Sequence, residues 1–248
     1  DAGLSRGLGD VYKRQVQVVL PGTNGAAPVY YATKKGAEAL ASFFDDDRFL
    51  ATNTKHPRAD RLSHWIAINS TRLIVEQAVA AQTEVTLDGW FTEWETINKD
   101  AAPQQQFALH TQLSDNPPLS CSPDAAFLLT TRGFSKVFYL EQDRGTSSPG
   151  QIAARKTKGY AAMLSGQGHR KHFPETNLDQ FSILVVTTST QRCRAIGQAL
   201  KKKPNPKTWL LVDQNQLSAD SFLHGDIVHK TDGETGPLIK PASDSESD

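Results

Sequence analysis

At 248 residues the chain is long enough to bury a full core in one or two domains. Its 38% hydrophobic and 22% charged residues exclude a disordered chain. No apolar run approaches the roughly 18 residues of a membrane span. Two cysteines, Cys121 and Cys193, provide no disulfide framework and no metal-knuckle spacing, which points to a reducing, cytoplasmic setting. The zero net charge hides a split. Residues 151–207 carry 11 Lys/Arg against 2 Asp/Glu, and residues 208–248 carry 2 Lys against 8 Asp/Glu, local balances of +9 and −6. A basic block of this kind is the electrostatic footprint of a polyanion binder, and also of an ordinary solvated surface.

In chain order, Ser5–Gln15 (SRGLGDVYKRQ) resembles a translated sequencing-library adapter, so residues 1–15 are set aside as an artefactual leader. Val16–Leu20 and Val29–Thr33 flank a Pro-Gly-Thr-Asn-Gly turn and predict a hairpin. Lys34–Phe44 predicts a helix with Ala37, Leu40, Ala41 and Phe44 on one stripe. A longer helix is expected over Arg61–Gln82, with Leu62, Trp65, Ile66, Leu73 and Val79 inward. Val85–Leu87 and Trp90–Trp94 suggest a strand pair, and Ala101–Ser122 a long polar loop. Strands follow at Ala125–Thr131 and Val137–Gln142, then a helix opened by Ser148 at N-cap and Pro149 at N1, running to about Leu164. Phe181–Thr188 is a nearly continuous apolar strand of the kind buried on both faces, followed by a helix at Gln191–Lys202 and a strand at Thr208–Val212. Alternating strands and helices predict an α/β fold, a mixed sheet flanked by helices. Patterning fades beyond Asp213, so 214–248 is expected to be an acidic, largely disordered tail.

Tyr30 and Lys34 fit the Tyr-x-x-x-Lys pair of short-chain dehydrogenases, but the dinucleotide glycine fingerprint and the proline-glycine stretch of that family are missing. His64 beside Trp65 suits a hydrogen-bonded core histidine. His169-Arg170-Lys171-His172 suits a solvated basic loop, Lys201–Lys203 a helix C-terminus, and Trp90 and Trp94 the core. The residues with chemical potential are elsewhere. Strand alternation puts Val137, Tyr139, Glu141 and Asp143 on one face, with alternate residues roughly 6–7 Å apart. Asp124 comes alongside if the two strands pair as a hairpin. Converging carboxylates repel unless a cation lies between them, and a divalent ion with oxygen ligands is the usual solution. Ile152, Lys156, Gly159, Tyr160 and Met163 are spaced three and four apart, which turns Lys156 toward the same place. A solvated strand end and a snorkelling lysine are the plainer alternatives.

At these residues the chain resembles the Pro-Asp…(Asp/Glu)-x-Lys nuclease superfamily and, more closely, the plasmid replication-relaxation family. The resemblance is carried by YYATKKGAEALA at 30–41, LSHWIAINSTRLIVE at 62–76, SPDAAFLL at 122–129, VFYLEQDRGT at 137–146, KTKGY at 156–160 and FSILVVTTS at 181–189. It implies a restriction-endonuclease-like domain over 59–213 and a winged-helix DNA-binding remnant over 16–58. It further implies Mg²⁺ held by Asp124 and Glu141, to which strand alternation adds Asp143 as a third candidate ligand, with Lys156 as the catalytic cation. Position 143 departs from the motif, which has lysine there. The implied function is a plasmid replication-relaxation protein nicking DNA, with DNA and replication or mobilisation proteins as partners and no membrane. A non-catalytic DNA-binding regulator and a module recruiting a replisome or relaxase stay open as alternatives.

Overall fold

In the computed structural model, residues 28–46, 49–50, 59–97, 100–102 and 105–240 are described, together with the backbone of 16–19. Residues 1–15, expected to be an artefactual leader, and the last residues, 241–248, lie outside them. Strands β1 (Val16–Val19) and β2 (Val29–Ala32) pair antiparallel as the predicted hairpin. Helix α1 (Lys34–Phe44) follows, its first turn capped by the Thr33 side chain, which accepts the Gly36 amide. Gly36, Ala37 and Ala41 are its buried residues, whereas Leu40 and Phe44 point outward. Tyr30 is exposed and Lys34 pairs with Glu38, an arrangement with nothing of a dehydrogenase site.

The body of the protein is one mixed seven-stranded sheet. Its elements are α2 (Ala59–Ala80), β3 (Val85–Thr92), a small hairpin of β4 (Thr111–Asp115) and β5 (Pro118–Cys121), β6 (Ala125–Thr131), β7 (Phe134–Gln142), α3 (Pro149–Ser165), α4 (His169–His172), β8 (Ser182–Thr187), α5 (Thr190–Leu200), β9 (Trp209–Asp213), α6 (Ala219–Phe222), β10 (Val228–Lys230) and β11 (Thr235–Gly236). The strand order is β11-β10-β9-β8-β7-β6-β3. The pairs β7–β8 and β8–β9 are parallel, with α3 and α5 in the crossovers, and the other pairs are antiparallel. None of the described helices is long and apolar enough to cross a membrane.

The two-residue period of the central strands sorts their side chains into two cores. Ala126, Leu128, Val137, Tyr139, Ile183 and Val185 meet α3 and α5 through Tyr160, Met163, Cys193 and Ile196. Phe127, Leu129, Phe138, Leu140, Leu184 and Val186 meet α2 and α6 through Ile68, Val75, Ala78 and Phe222. Each fully buried aliphatic or aromatic side chain contributes about 1.5–3 kcal/mol. These layers are what fix the sheet's polar end.

Four expectations are corrected. Val85–Thr92 is one strand, because the Asp88-Gly89 step, which resembles a turn, is absorbed as a register shift against β6. The expected loop 101–122 contains β4 and β5, whose polar residues conceal them but which pack on α3. The buried stripe of α2 is Leu62, Ile68, Thr71, Val75, Ala78 and Val79; Ile66 and Leu73 are exposed. The fold also does not end at Asp213: Leu217, Phe222, Leu223 and Val228 are buried, and β10 and β11 extend the sheet. These apolar residues are spread among turns, so no run of them stands out.

Candidate functional site

Glu141 is the last but one residue of β7, on the face already occupied by Val137 and Tyr139, and this alternation drives its carboxylate under α3. Helix α3 starts with a full capping box between Ser148 and Gln151, which fixes its register. One turn later it presents Lys156 and Tyr160, four residues apart. Lys156 Nζ lies 2.8 Å from Glu141 Oε2. The Tyr160 hydroxyl donates to Glu141 Oε1 at 2.6 Å. Lys156 also donates to the Ser122 carbonyl at 3.3 Å. Burial pushes the Glu141 carboxyl up to about 7, against the pull of Lys156. Burial works against the Lys156 charge too, but Glu141 and Asp124 outweigh it and hold the ammonium protonated, above the ordinary lysine range.

Asp124 precedes β6 and is held in line with the sheet by its backbone: its amide donates to Leu140 and its carbonyl accepts from Glu93. Its Oδ2 accepts the Gln142 amide at 2.7 Å, and its Oδ1 stands 3.5 Å from His64 Nε2. Glu93, just beyond β3, brings Oε1 to 3.9 Å from the same nitrogen and accepts the Trp65 indole N–H at 3.3 Å. The hydrogen bond and charge of Asp124 raise the His64 pKa, and burial, then Asp124, raises that of Glu93.

Asp143, beyond the end of β7, is taken up by Arg192. The guanidinium Nε and Nη2 both reach its carboxylate, the Thr187 hydroxyl and the Gly145 amide donate to it, and Arg192 also holds the Ser147 carbonyl. Burial alone would raise the Asp143 pKa; the bonds from Arg192 and Thr187 carry it below the usual carboxylate range.

The four sequence-predicted residues, Asp124, Glu141, Asp143 and Lys156, all line one open cleft of about 240 Å³, with His64 and Arg155 on its walls. Lys156 reaches Glu141, while Asp143 faces Arg192 instead. Among the described residues, the three metal-type donors that come within 4.8 Å of one another are those of His64, Glu93 and Asp124, not the expected carboxylate trio. His64 is thus half-buried at the cleft rather than a core residue. Glu93 was missed because only the antiparallel pairing of β3 with β6, which puts the end of one beside the start of the other, brings it to Asp124. Tyr160 was legible as the i+4 neighbour of Lys156. His169 and His172, expected in a solvated loop, point inward: His172 bonds Tyr139 and Thr111, and burial pushes its pKa down to about 4.

Comparison with curated proteins gives no match, nor does comparison with solved structures. The replication-relaxation family model matches residues 10–176, which is 167 of 248 residues and includes every cleft residue up to Lys156. The chain belongs to the replication-relaxation family.

Proposed function

We propose that the protein acts on DNA in plasmid replication, nicking a phosphodiester in the cleft between β6, β7 and α3. The observation that carries this reading is the Lys156–Glu141 pair beside Asp124 in an open cleft at the end of the central strands. Asp124 and Glu141 are hard oxygen donors suited to Mg²⁺, whereas Asp143, closed off by Arg192, does not fit a ligand role and serves to tie down the loop at Ser147. Asp124 and Glu141 would hold Mg²⁺, whose chemistry there would be Lewis-acid polarisation of a phosphoryl oxygen. Lys156 provides a compact positive charge for a non-bridging phosphate oxygen, and Arg155 widens that field at the rim. A DNA substrate sets the work in the cytoplasm, beside replication or mobilisation proteins.

Nicking of supercoiled plasmid with and without Mg²⁺ tests the reading. Glu141→Ala and Lys156→Ala are expected to abolish nicking while DNA affinity is retained. No nicking with Mg²⁺ or Mn²⁺ would overturn catalysis. A second reading, a binding-only regulator, is favoured by one feature: both Glu141 oxygens are already occupied, by Lys156 and Tyr160. Salt-dependent DNA binding without cleavage is its signature.

A further inference from the structure

His64, Glu93 and Asp124 come from three separate elements, α2, the end of β3 and the start of β6, and their donor atoms converge within 4.8 Å. The two carboxylate oxygens lie 3.5 and 3.9 Å from one imidazole nitrogen. Both separations exceed an ordinary N–H···O bond of roughly 2.7–3.2 Å: Asp124 makes one long hydrogen bond to the ring and Glu93 makes none. Two donors each about 2.1 Å from a shared ion stand about 3.0–3.4 Å apart at octahedral or tetrahedral angles; Asp124 at 3.5 Å from the imidazole is close to this, and Glu93 at 3.9 Å comes within it by a shift of about half an ångström. Both carboxylates are also held by donors outside the trio. The Gln142 amide donates to the other oxygen of Asp124, and the Trp65 indole donates to the same Glu93 oxygen, Oε1, that faces His64. This is the outer-shell support that ligating carboxylates characteristically have. Open space lies on both sides: the cleft with Glu141 and Lys156, and a second hollow between Arg61, Ser63, His64, Glu93, Arg144 and Thr146.

We infer that His64, Glu93 and Asp124 form a transition-metal position, distinct from the Mg²⁺ position between Asp124 and Glu141 and sharing Asp124 with it. One imidazole and two carboxylates make a borderline donor set, which favours Zn²⁺ or Mn²⁺ over Mg²⁺, with Zn²⁺ ahead of Mn²⁺. Three protein ligands leave further positions open, as in sites that take up a substrate oxygen. The inference rests on the nicking reading only through the shared Asp124, and it is read by binding rather than by cleavage.

The test uses the full chain after chelator treatment. Zn²⁺ is titrated against a chromophoric chelator, Mn²⁺ by the resonance signal of the free ion, and Mg²⁺ as competitor. One Zn²⁺ per chain is expected, bound at least tenfold more tightly than Mg²⁺. His64→Ala and Glu93→Gln are each expected to weaken Zn²⁺ tenfold or more; Glu93→Gln keeps the shape of the side chain and covers the case in which His64→Ala fails to fold. Glu141→Gln, which disables the proposed nicking, is expected to leave Zn²⁺ affinity within threefold. Unchanged Zn²⁺ affinity in Glu93→Gln, equal loss in Glu141→Gln, or Mg²⁺ competing on equal terms would overturn the assignment. Zn²⁺ binding with no nicking under any condition would retire the nuclease reading and leave this one standing.

Discussion

Replacing Tyr160 with phenylalanine removes one oxygen and no volume, and that oxygen is the donor to Glu141 Oε1 at 2.6 Å. Both residues are buried, so no bulk water replaces the lost bond. A hydrogen bond to an ionised acceptor contributes roughly 1.5–3 kcal/mol, and one to a neutral acceptor roughly 1 kcal/mol. The cost of Tyr160→Phe therefore depends on the charge of Glu141. Burial raises that carboxyl from 4.5 to about 7, so folding takes up a proton between these values. The stability linked to Glu141 is fully present below pH 4.5 and declines as pH rises through about 7. Tyr160 donates to the charged form and softens that decline. Without it, the loss should be about 1 kcal/mol at pH 5 and about 2 kcal/mol at pH 8.5, equivalent to a rise of roughly 0.7 in the Glu141 pKa. Urea denaturation at pH 5, 7 and 8.5 measures this directly. Equal losses at all three values, or a loss that shrinks with rising pH, would refute the coupling of Tyr160 to an ionising Glu141.

Arg192→Leu leaves the buried Asp143 carboxylate unpaired and should cost about 3 kcal/mol in chemical denaturation at pH 7, with Asp143→Asn in the same chain recovering part of it. Because the Asp143 pKa is depressed, the pair's contribution is present above pH 3.8 and lost as pH falls through the lower folded value, so the variant should lose less on acidification than the parent. At Gly159 an added Cβ would stand 2.9 Å from the Ser120 carbonyl, so Gly159→Ala should destabilise by about 1–2 kcal/mol despite its better helix propensity; a stabilised variant by thermal melt would show that α3 has room to shift. Truncation after Asp213 deletes buried Leu217, Phe222, Leu223 and Val228 and should abolish a cooperative melt, whereas an unchanged melting temperature would restore the picture of a dispensable tail.

The central strands were legible because each carries a continuous or alternating apolar signal, and Ser148-Pro149 marked the start of α3 within a residue. The hairpin of β4 and β5 was not, because it packs one polar ribbon on a helix and buries little beyond Thr111 and Cys121. Asp124, Glu141 and Lys156 could be grouped because strand parity and helical spacing are local and the β6–β7 hairpin that brings Asp124 alongside is short. His64 and Glu93 could not, because their meeting depends on how α2 lies across the sheet and on β3 pairing with β6 over a separation of about 40 residues. Arg192 is similar: Ser189 caps α5 through the Arg192 amide, and only the β7–β8 pairing puts that first turn beside Asp143.

The departure at position 143 has a physical account in this arrangement. An aspartate where the resembled nuclease motif has lysine changes the local charge by two. Left alone, Asp143 would crowd a cleft already holding Asp124 and Glu141. Arg192 removes that burden by forming two bonds to the carboxylate from the first turn of α5, and the Thr187 hydroxyl adds a third donor. Asp143 then repels the cleft far less than a free carboxylate would, and the cation is supplied from α3 instead, where Lys156 meets Glu141 at 2.8 Å. The two substitutions of role are independent: Arg192 answers the charge of Asp143, and Lys156 answers that of Glu141. In the proposed nicking, the four-carbon stem of Lys156 would let its ammonium leave Glu141 for a phosphate oxygen without moving β7.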